Sequence, residues 1–215
     1  MIMAIDPIDL TKLVSKQLKN LFQFNYENEY TVLEKGIQLT LPKIQNCFYY
    51  SKNKYYKKNN SVYFNPFHSG QYTIFLYFLS RSIYLMDNNK SLADRVYYLN
   101  KTLNGLDLFY EIKMPNIFEL EHPVGSVIGR ARIGDYFSFF QGCTVGASMG
   151  FEPVIGENVT MYAHSKILGK SCVGNNVWIS ANTYIIDTNI PEHSIVFGSS
   201  PNIVIKSRPV EFFKI

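Results

Sequence analysis

An α-helical amino-terminal domain followed by a parallel β-solenoid is the α+β fold that this 215-residue sequence predicts. Two periods carry the prediction. Up to about residue 104 apolar residues recur at i, i+3 and i+4, the spacing of one helix face. Later the recurrence becomes six: Ile155, Met161, Ile167, Val173, Ile179 and Ile185 share one register. Four residues after each of the first five stands a small or β-branched residue: Val159, Ser165, Ser171, Val177 and Thr183.

Six is neither the helix period nor the strand period, but it suits a chain that makes a short strand, turns a corner and repeats. Three such sides give a coil of about 18 residues, and coils stack at roughly 4.8 Å per layer. The recurring aliphatic fills the interior and the small residue lets the corner close. Gly156, Asn158, Gly169, Gly174, Asn175 and Asn176 populate the corners, where positive φ is often required. Ile133, Phe139 and Val145 extend the register backwards, until GASMGFEPV (146–154) breaks the phase. That segment reads as a loop pushed out of one corner, and loops on repeat scaffolds are where sites are commonly built.

The helices follow in order. Ile8, Leu10, Leu13, Val14, Leu18, Leu21 and Phe22 mark the first, with Pro7 suited to its first turn. A second is expected over about 29–48, disturbed by Gly36 and Pro42. A third is expected from Asn65-Pro66 to about Met86, and a fourth over 91–103, ended by Asn104-Gly105. Four helices fit a cap over the first coil, since a solenoid end must be shielded from edge pairing. Pro191, Pro201 and Pro209 predict the end of the ladder and a tail. The boundaries are therefore 1–105, 106–206 and 207–215.

Composition narrows the function classes. With 47% hydrophobic residues, sixteen Tyr and sixteen Phe, the chain is not disordered. Cys47, Cys143 and Cys172 lack metal-like spacing and suggest reduced thiols in a cytoplasmic protein. The start MIMAIDPIDL does not read as a signal peptide, and the longest apolar run, IFLYFL at 74–79, is too short to insert in a membrane. The net charge of +4 is mild, and no nucleic-acid-binding motif accompanies it. SKNKYYKK at 51–58 concentrates four lysines, as a solvated loop or as a patch for an anionic substrate or phosphate.

Several motifs resemble those of the serine O-acetyltransferases, hexapeptide-repeat acyltransferases with a left-handed β-helix. LEHPVGSVIG (120–129) is similar to that family's Leu-Asp-His-Ala-Thr-Gly segment, FHSGQY (67–72) to its Phe-His-Ala-Leu-Gln, SKILGKSCVG (165–174) to its Ala-Lys-Ile-Leu-Gly run, and VFGSSPNIVIK (196–206) to its closing Gly-Val-Pro-Ala. The resemblance covers about residues 65–206. It implies that His122 is the catalytic base, that Asp107, fifteen residues earlier, supports it, and that acetyl-CoA is the donor. It also implies a homotrimer, with pairing into a dimer of trimers left open. Ala163 and Ala181, eighteen apart, resemble the family's cofactor-lining alanines, with Gly146, Ser180, Ser200 and Lys206 as companions. No metal is expected.

The departures concern the acceptor. The family's loop carries Arg-His-Pro, whereas this shorter loop has Phe151-Glu152-Pro153. Glu121 replaces the aspartate beside the catalytic histidine, and SKNKYYKK stands where the family places an acid for the serine amine. Glu121 and Glu152 are the candidate acceptor contacts. His164 is expected to be structural or at an interface, and His68 and His193 structural. The leading reading is acetyl transfer to a hydroxyl of serine or of a sugar. The alternatives are a sugar acetyltransferase of surface-polysaccharide synthesis, a non-catalytic scaffold, and a metalloenzyme like the γ-type carbonic anhydrases, for which four histidines in all are few.

Overall fold

The computed structural model describes residues 1–86 and 89–213, which form two compact units. Unit 1 comprises Met1–Asn104 with Phe109–Glu111, and unit 2 comprises Gly105–Leu108 with Ile112–Ile215.

In unit 1, β1 (Ile2–Met3) precedes α1 (Pro7–Leu21), whose first turn is capped by the Asp6 carboxylate accepting from Asp9 N at 2.8 Å. Leu10, Val14 and Leu18 form its buried stripe. α2 (Tyr26–Tyr50) begins with a reciprocal cap. The Asn25 side chain accepts from Glu27 N and Asn28 N, while Asn25 N donates to the Glu29 carboxylate at 2.8 Å. α2 continues through both residues expected to disturb it. A Cβ on Gly36 would stand 2.8 Å from Ile83 Cγ1, so this glycine serves a close helix–helix approach.

β2 (Lys57–Lys58) and β3 (Ser61–Phe64) join β1 in a small sheet that the helical periodicity did not reveal. They delay α3 to Ser69–Leu85, with His68 as its cap, the Nδ1 accepting from Gln71 N at 3.3 Å. α4 spans Lys90–Asn104, and Gly105 follows at φ 61°.

Unit 2 is a left-handed parallel β-helix of about five turns. Its strands are β4 (Asp107–Leu108), β5 (Phe118–Leu120), β6 (Val127–Ile128), β7 (Arg132–Ile133), β8 (Phe137–Phe139), β9 (Thr144–Gly146), β10 (Val154–Ile155), β11 (Val159–Met161), β12 (Lys166–Leu168), β13 (Cys172–Val173), β14 (Val177–Ile179), β15 (Tyr184–Ile186), β16 (Asn189–Ile190), β17 (Ser194–Ser199) and β18 (Asn202–Ser207). Three faces result. The first stacks β5, β8, β11, β14 and β17; the second stacks β4, β6, β9, β12 and β15; the third stacks β7, β10, β13 and β16. The registers Met161↔Ile179, Ile167↔Ile185 and Ile155↔Val173 place each hexad aliphatic on its equivalent in the next coil, and all six are buried. The small series is buried as well.

Each face meets the next at an edge. At the third edge, between third and first faces, Gly134, Gly156 and Gly174 stand one above another. A Cβ on each would lie within 2.8 Å of backbone in the following coil. The prolines that predicted a tail mark the ends of strands instead. β17 and β18 pair antiparallel from Ser194↔Ser207 to Ser199↔Asn202, with Pro201 in the turn, and Val210–Phe213 then forms a 3-10 turn.

Candidate functional site

The site begins at the first edge, where the chain passes from first to second face. Six residues separate Phe139 from Val145 and Met161 from Ile167, but eight separate Leu120 from Ile128. The first-coil corner is thus two residues longer, and His122 stands in it, exposed and at φ 48°. Backbone bonds fix the corner: Glu121 N donates to Phe139 O at 3.0 Å, Val124 N to His122 O at 2.7 Å, and Gly142 N to Val124 O at 3.0 Å. Ser126 is buried beneath it. Its hydroxyl donates to Phe140 O at 2.8 Å and accepts from Cys143 N at 3.0 Å.

Asp107 belongs to the strand that pairs with the end of this corner. Gly125 N donates to Gly105 O at 2.8 Å, Asp107 N donates to Ser126 O at 2.9 Å, and β4 pairs with β6 in the register Asp107↔Val127. Asp107 is twenty residues from its paired residue Val127, and His122 lies in the corner just before that strand.

The cofactor candidates divide between two edges. Ala163, Ser180 and Ala181 lie at the first edge with Glu121 and His122, where Asn182 N donates to Ala163 O and Ser180 N to Val196 O, both at 2.9 Å. Gly146 ends β9, paired with Leu168, at the second edge. Ser200 is there too, its hydroxyl accepting from Ile186 N at 3.2 Å and 3.0 Å from Thr188 Oγ1. Lys206 is on β18, its ammonium 5.4 Å from the Phe197 ring.

The phase-breaking segment adds four residues to the second edge: ten separate Val145 from Ile155, where six separate Ile167 from Val173. It forms a tight turn with Ser148 and Phe151 exchanging two backbone bonds of 3.0 Å. Met149 and Gly150 between them have φ of 49° and 84°, the pattern of a two-residue hairpin loop. Met149 is 94% exposed and Phe151 52%. The Lys170 ammonium sits 5.6 Å from the Phe151 ring, and Lys170 N donates to the Asp187 carboxylate at 2.7 Å. Sequence reasoning missed this cation against Phe151. Its signal was the 18-residue offset of the Val154↔Cys172 pair, which counts back from Lys170 to Glu152.

His164 and His193 stand at corners of the later coils. A Cβ on Gly142 would stand 2.2 Å from His164 Nδ1, so the His164 ring overlies the glycine of the preceding coil. His193 turns the third edge at φ 55°, with Arg208 N donating to its carbonyl at 2.8 Å. Cys143 is buried, its thiol donating to Tyr162 O at 3.3 Å, while Cys172 is exposed; both are free. Two of the four SKNKYYKK lysines lie over rings, Lys54 over Tyr55 at 5.1 Å and Lys58 over Tyr63 at 5.2 Å. No helix among the described residues is long and apolar enough to cross a membrane.

No sequence-family profile matches the chain. Among curated proteins it is similar to the serine acetyltransferase of Helicobacter pylori, 30% identical over 115 residues, which are 51% of this chain and 67% of that protein. Among solved structures it resembles the serine acetyltransferase of Neisseria gonorrhoeae, with a TM-score of 0.73 and 20% identity, covering 95% of this chain and 81% of that one. A serine acetyltransferase solved in complex with CoA gives a TM-score of 0.67 at 20% identity over 93% and 84% of the two chains. Both share the fold. Identity of 30% across two thirds of the Helicobacter protein, on that same fold, establishes that the chain belongs to the serine acetyltransferase family.

Proposed function

We propose that this protein is an acetyl-CoA-dependent O-acetyltransferase in which His122 is the general base and Asp107 orients it. The observation that carries the reading is the pairing of the Gly105–Asp107 segment with the corner that holds His122. The relatives named above support the reaction class, and the solved CoA complex supports the donor.

Histidine suits the role because its ordinary pKa lies near neutrality. One ring nitrogen takes the proton of the acceptor hydroxyl while the oxygen attacks the thioester carbonyl. The carbon–sulfur bond then breaks, the imidazolium returns the proton to the departing thiolate, and the products are an acetyl ester and free CoA. A carboxylate on the other ring nitrogen fixes the tautomer and stabilises the imidazolium. Ala163 and Ala181, small, stacked in successive coils and two and three layers on from His122, leave room for a pantetheine arm along the first edge, with Ser180 next to them. Gly146, Ser200 and Lys206 serve the more distant parts of the donor.

The acceptor is a hydroxyl whose surroundings lack a carboxylate near Glu152, such as a sugar hydroxyl, and free serine is a poor substrate. Glu152 is exposed at the second edge and repels an acceptor carboxylate that comes near it, and Lys170, a cation on this edge, lies against the Phe151 ring. The protein works in the cytoplasm as a homotrimer packed through the flat faces of the solenoid. Thiol release from acetyl-CoA, measured against amino acids and sugars, tests the reading. His122→Ala should abolish transfer to every acceptor, and full transfer by that variant overturns the mechanism. Serine turnover with kcat/KM near 10⁴ M⁻¹s⁻¹, roughly the lower end for ordinary enzymes, overturns the acceptor argument alone.

A further inference from the structure

An aromatic ladder climbs the first edge toward His122. The registers Leu120↔Phe139, Phe139↔Met161 and Met161↔Ile179 put the residues that follow each of these in one column: Glu121, Phe140, Tyr162 and Ser180. The Phe140 and Tyr162 rings are stacked, with centroids 5.2 Å apart and planes at 25°. Trp178 meets Tyr162 edge-on at 6.0 Å and 77°, and Phe212 lies against Trp178 at 4.8 Å.

The interior does not need these rings. Phe139 and Met161, which point inward, are fully buried, whereas Phe140 and Tyr162 are partly exposed on the outside of the coil. The next position in the column, in the layer of His122, carries the carboxylate of Glu121 instead of a ring. The ladder therefore stops one rung short of the proposed base.

We propose that a pyranose ring of the acceptor takes this rung, its apolar face on Phe140, its hydroxyls at Glu121 and one hydroxyl at His122. This rests on the reading of His122 as base and names the acceptor class for it. A pyranose presents C–H groups on its faces and hydroxyl donors on its rim. The first suits an aromatic face and the second a carboxylate, which accepts only. A free amino acid has no apolar face to lay on Phe140. Tyr162 supports the Phe140 ring from below and holds its orientation.

The test uses the full chain and its Phe140→Leu and Tyr162→Leu variants. The probes are the methyl glycosides of glucose, galactose and mannose, N-acetylglucosamine, and L-serine. At least one pyranoside should be acetylated with higher kcat/KM than serine. Phe140→Leu should lower the pyranoside-to-serine ratio of kcat/KM about tenfold, the scale of one stacked aromatic contact. The loss should appear in KM for the sugar while KM for acetyl-CoA holds. Tyr162→Leu should give a smaller loss of the same kind. Saturation-transfer NMR with the same pyranosides reports occupancy whether or not transfer occurs, and should weaken in Phe140→Leu. The proposal falls if no pyranoside shows Phe140-dependent binding, if sugar and serine rates fall together, or if the variants alter only the oligomer mass. In each of these cases a serine acetylation that His122→Ala abolishes leaves the proposed base standing.

Discussion

The hydroxyl of Ser126 donates to the carbonyl of Phe140, one coil further on, at 2.8 Å, and so ties the extended corner of His122 to the layer beneath it. The same oxygen accepts from Cys143 N, so Ser126→Ala leaves a buried N–H without that partner. The expected cost is about 1–3 kcal/mol, read as a lower melting temperature. Because the corner positions His122, kcat should fall while KM for acetyl-CoA holds. An unchanged kcat would show that the corner holds its shape without the serine.

Glu29 and Arg95 give unit 1 an acid-sensitive tie. Burial pushes the Glu29 carboxyl up. The hydrogen bond from Arg95, the backbone bond from Asn25 and the Arg95 charge outweigh it, leaving the pKa below its ordinary 4.5. A carboxyl with a depressed pKa in the folded state contributes stability above its unfolded pKa, and loses it as pH falls through the folded value. Wild-type stability should therefore drop with acid from below about pH 4.5 more steeply than that of Glu29→Gln. At neutral pH that variant should be about 1.5–3 kcal/mol less stable. Parallel pH profiles of the two in urea denaturation would refute the tie.

Glycine substitutions should rank by what a Cβ meets. On Gly156 it would stand 2.8 Å from the Gly174 carbonyl carbon and 2.9 Å from Asn175 N, and backbone cannot swing away. Gly150, at φ 84°, has nothing within 4 Å of the same position, so Gly150→Ala carries only the left-handed penalty of about 1–2 kcal/mol. Gly156→Ala should lower the melting temperature more. The reverse order in thermal melts would contradict the stacked-glycine contact.

Thiol accessibility should separate the cysteines. Cys172 is exposed, whereas Cys47 and Cys143 are buried. A colourless disulfide reagent that releases a coloured thiolate should therefore register one fast equivalent in the native protein and three in denaturant. Rapid native reaction of more than one thiol would place Cys143 or Cys47 outside the core.

The β-helix was legible because its ladder forces one inward aliphatic per side, which leaves a period of six in the chain. The four helices were legible for the same kind of reason. The strands Ile2–Met3, Lys57–Lys58 and Ser61–Phe64 were not, since segments of two to four residues are too short to show a period. The Ser194–Ser207 hairpin was hidden by Pro201, which reads as a breaker yet occupies the turn. His122 and Asp107 entered through a resemblance, and the pairing Asp107↔Val127, which sets Asp107 against the strand that follows the His122 corner, leaves no period in the sequence. Lys170, Phe140 and Tyr162 become neighbours of the candidate site only when coils are laid in register, and an insertion of four residues displaces that register between Val145 and Ile155.

The glycine column makes the prism asymmetric in where it tolerates change. Across the third edge the spacing is six residues in every coil, from Ile133 to Phe139, Ile155 to Met161, Val173 to Ile179 and Ile190 to Val196. This edge is a sealed seam, with backbone resting on backbone. The other two edges are open hems: one has absorbed the two extra residues around His122, and the other the Ser148–Phe151 turn. New sequence grafted at Gly146–Val154 has room to lengthen outward without disturbing the stack, whereas the same residues inserted at Gly156 would part the coils. The solenoid thus confines novelty to the two hems where the candidate residues already stand.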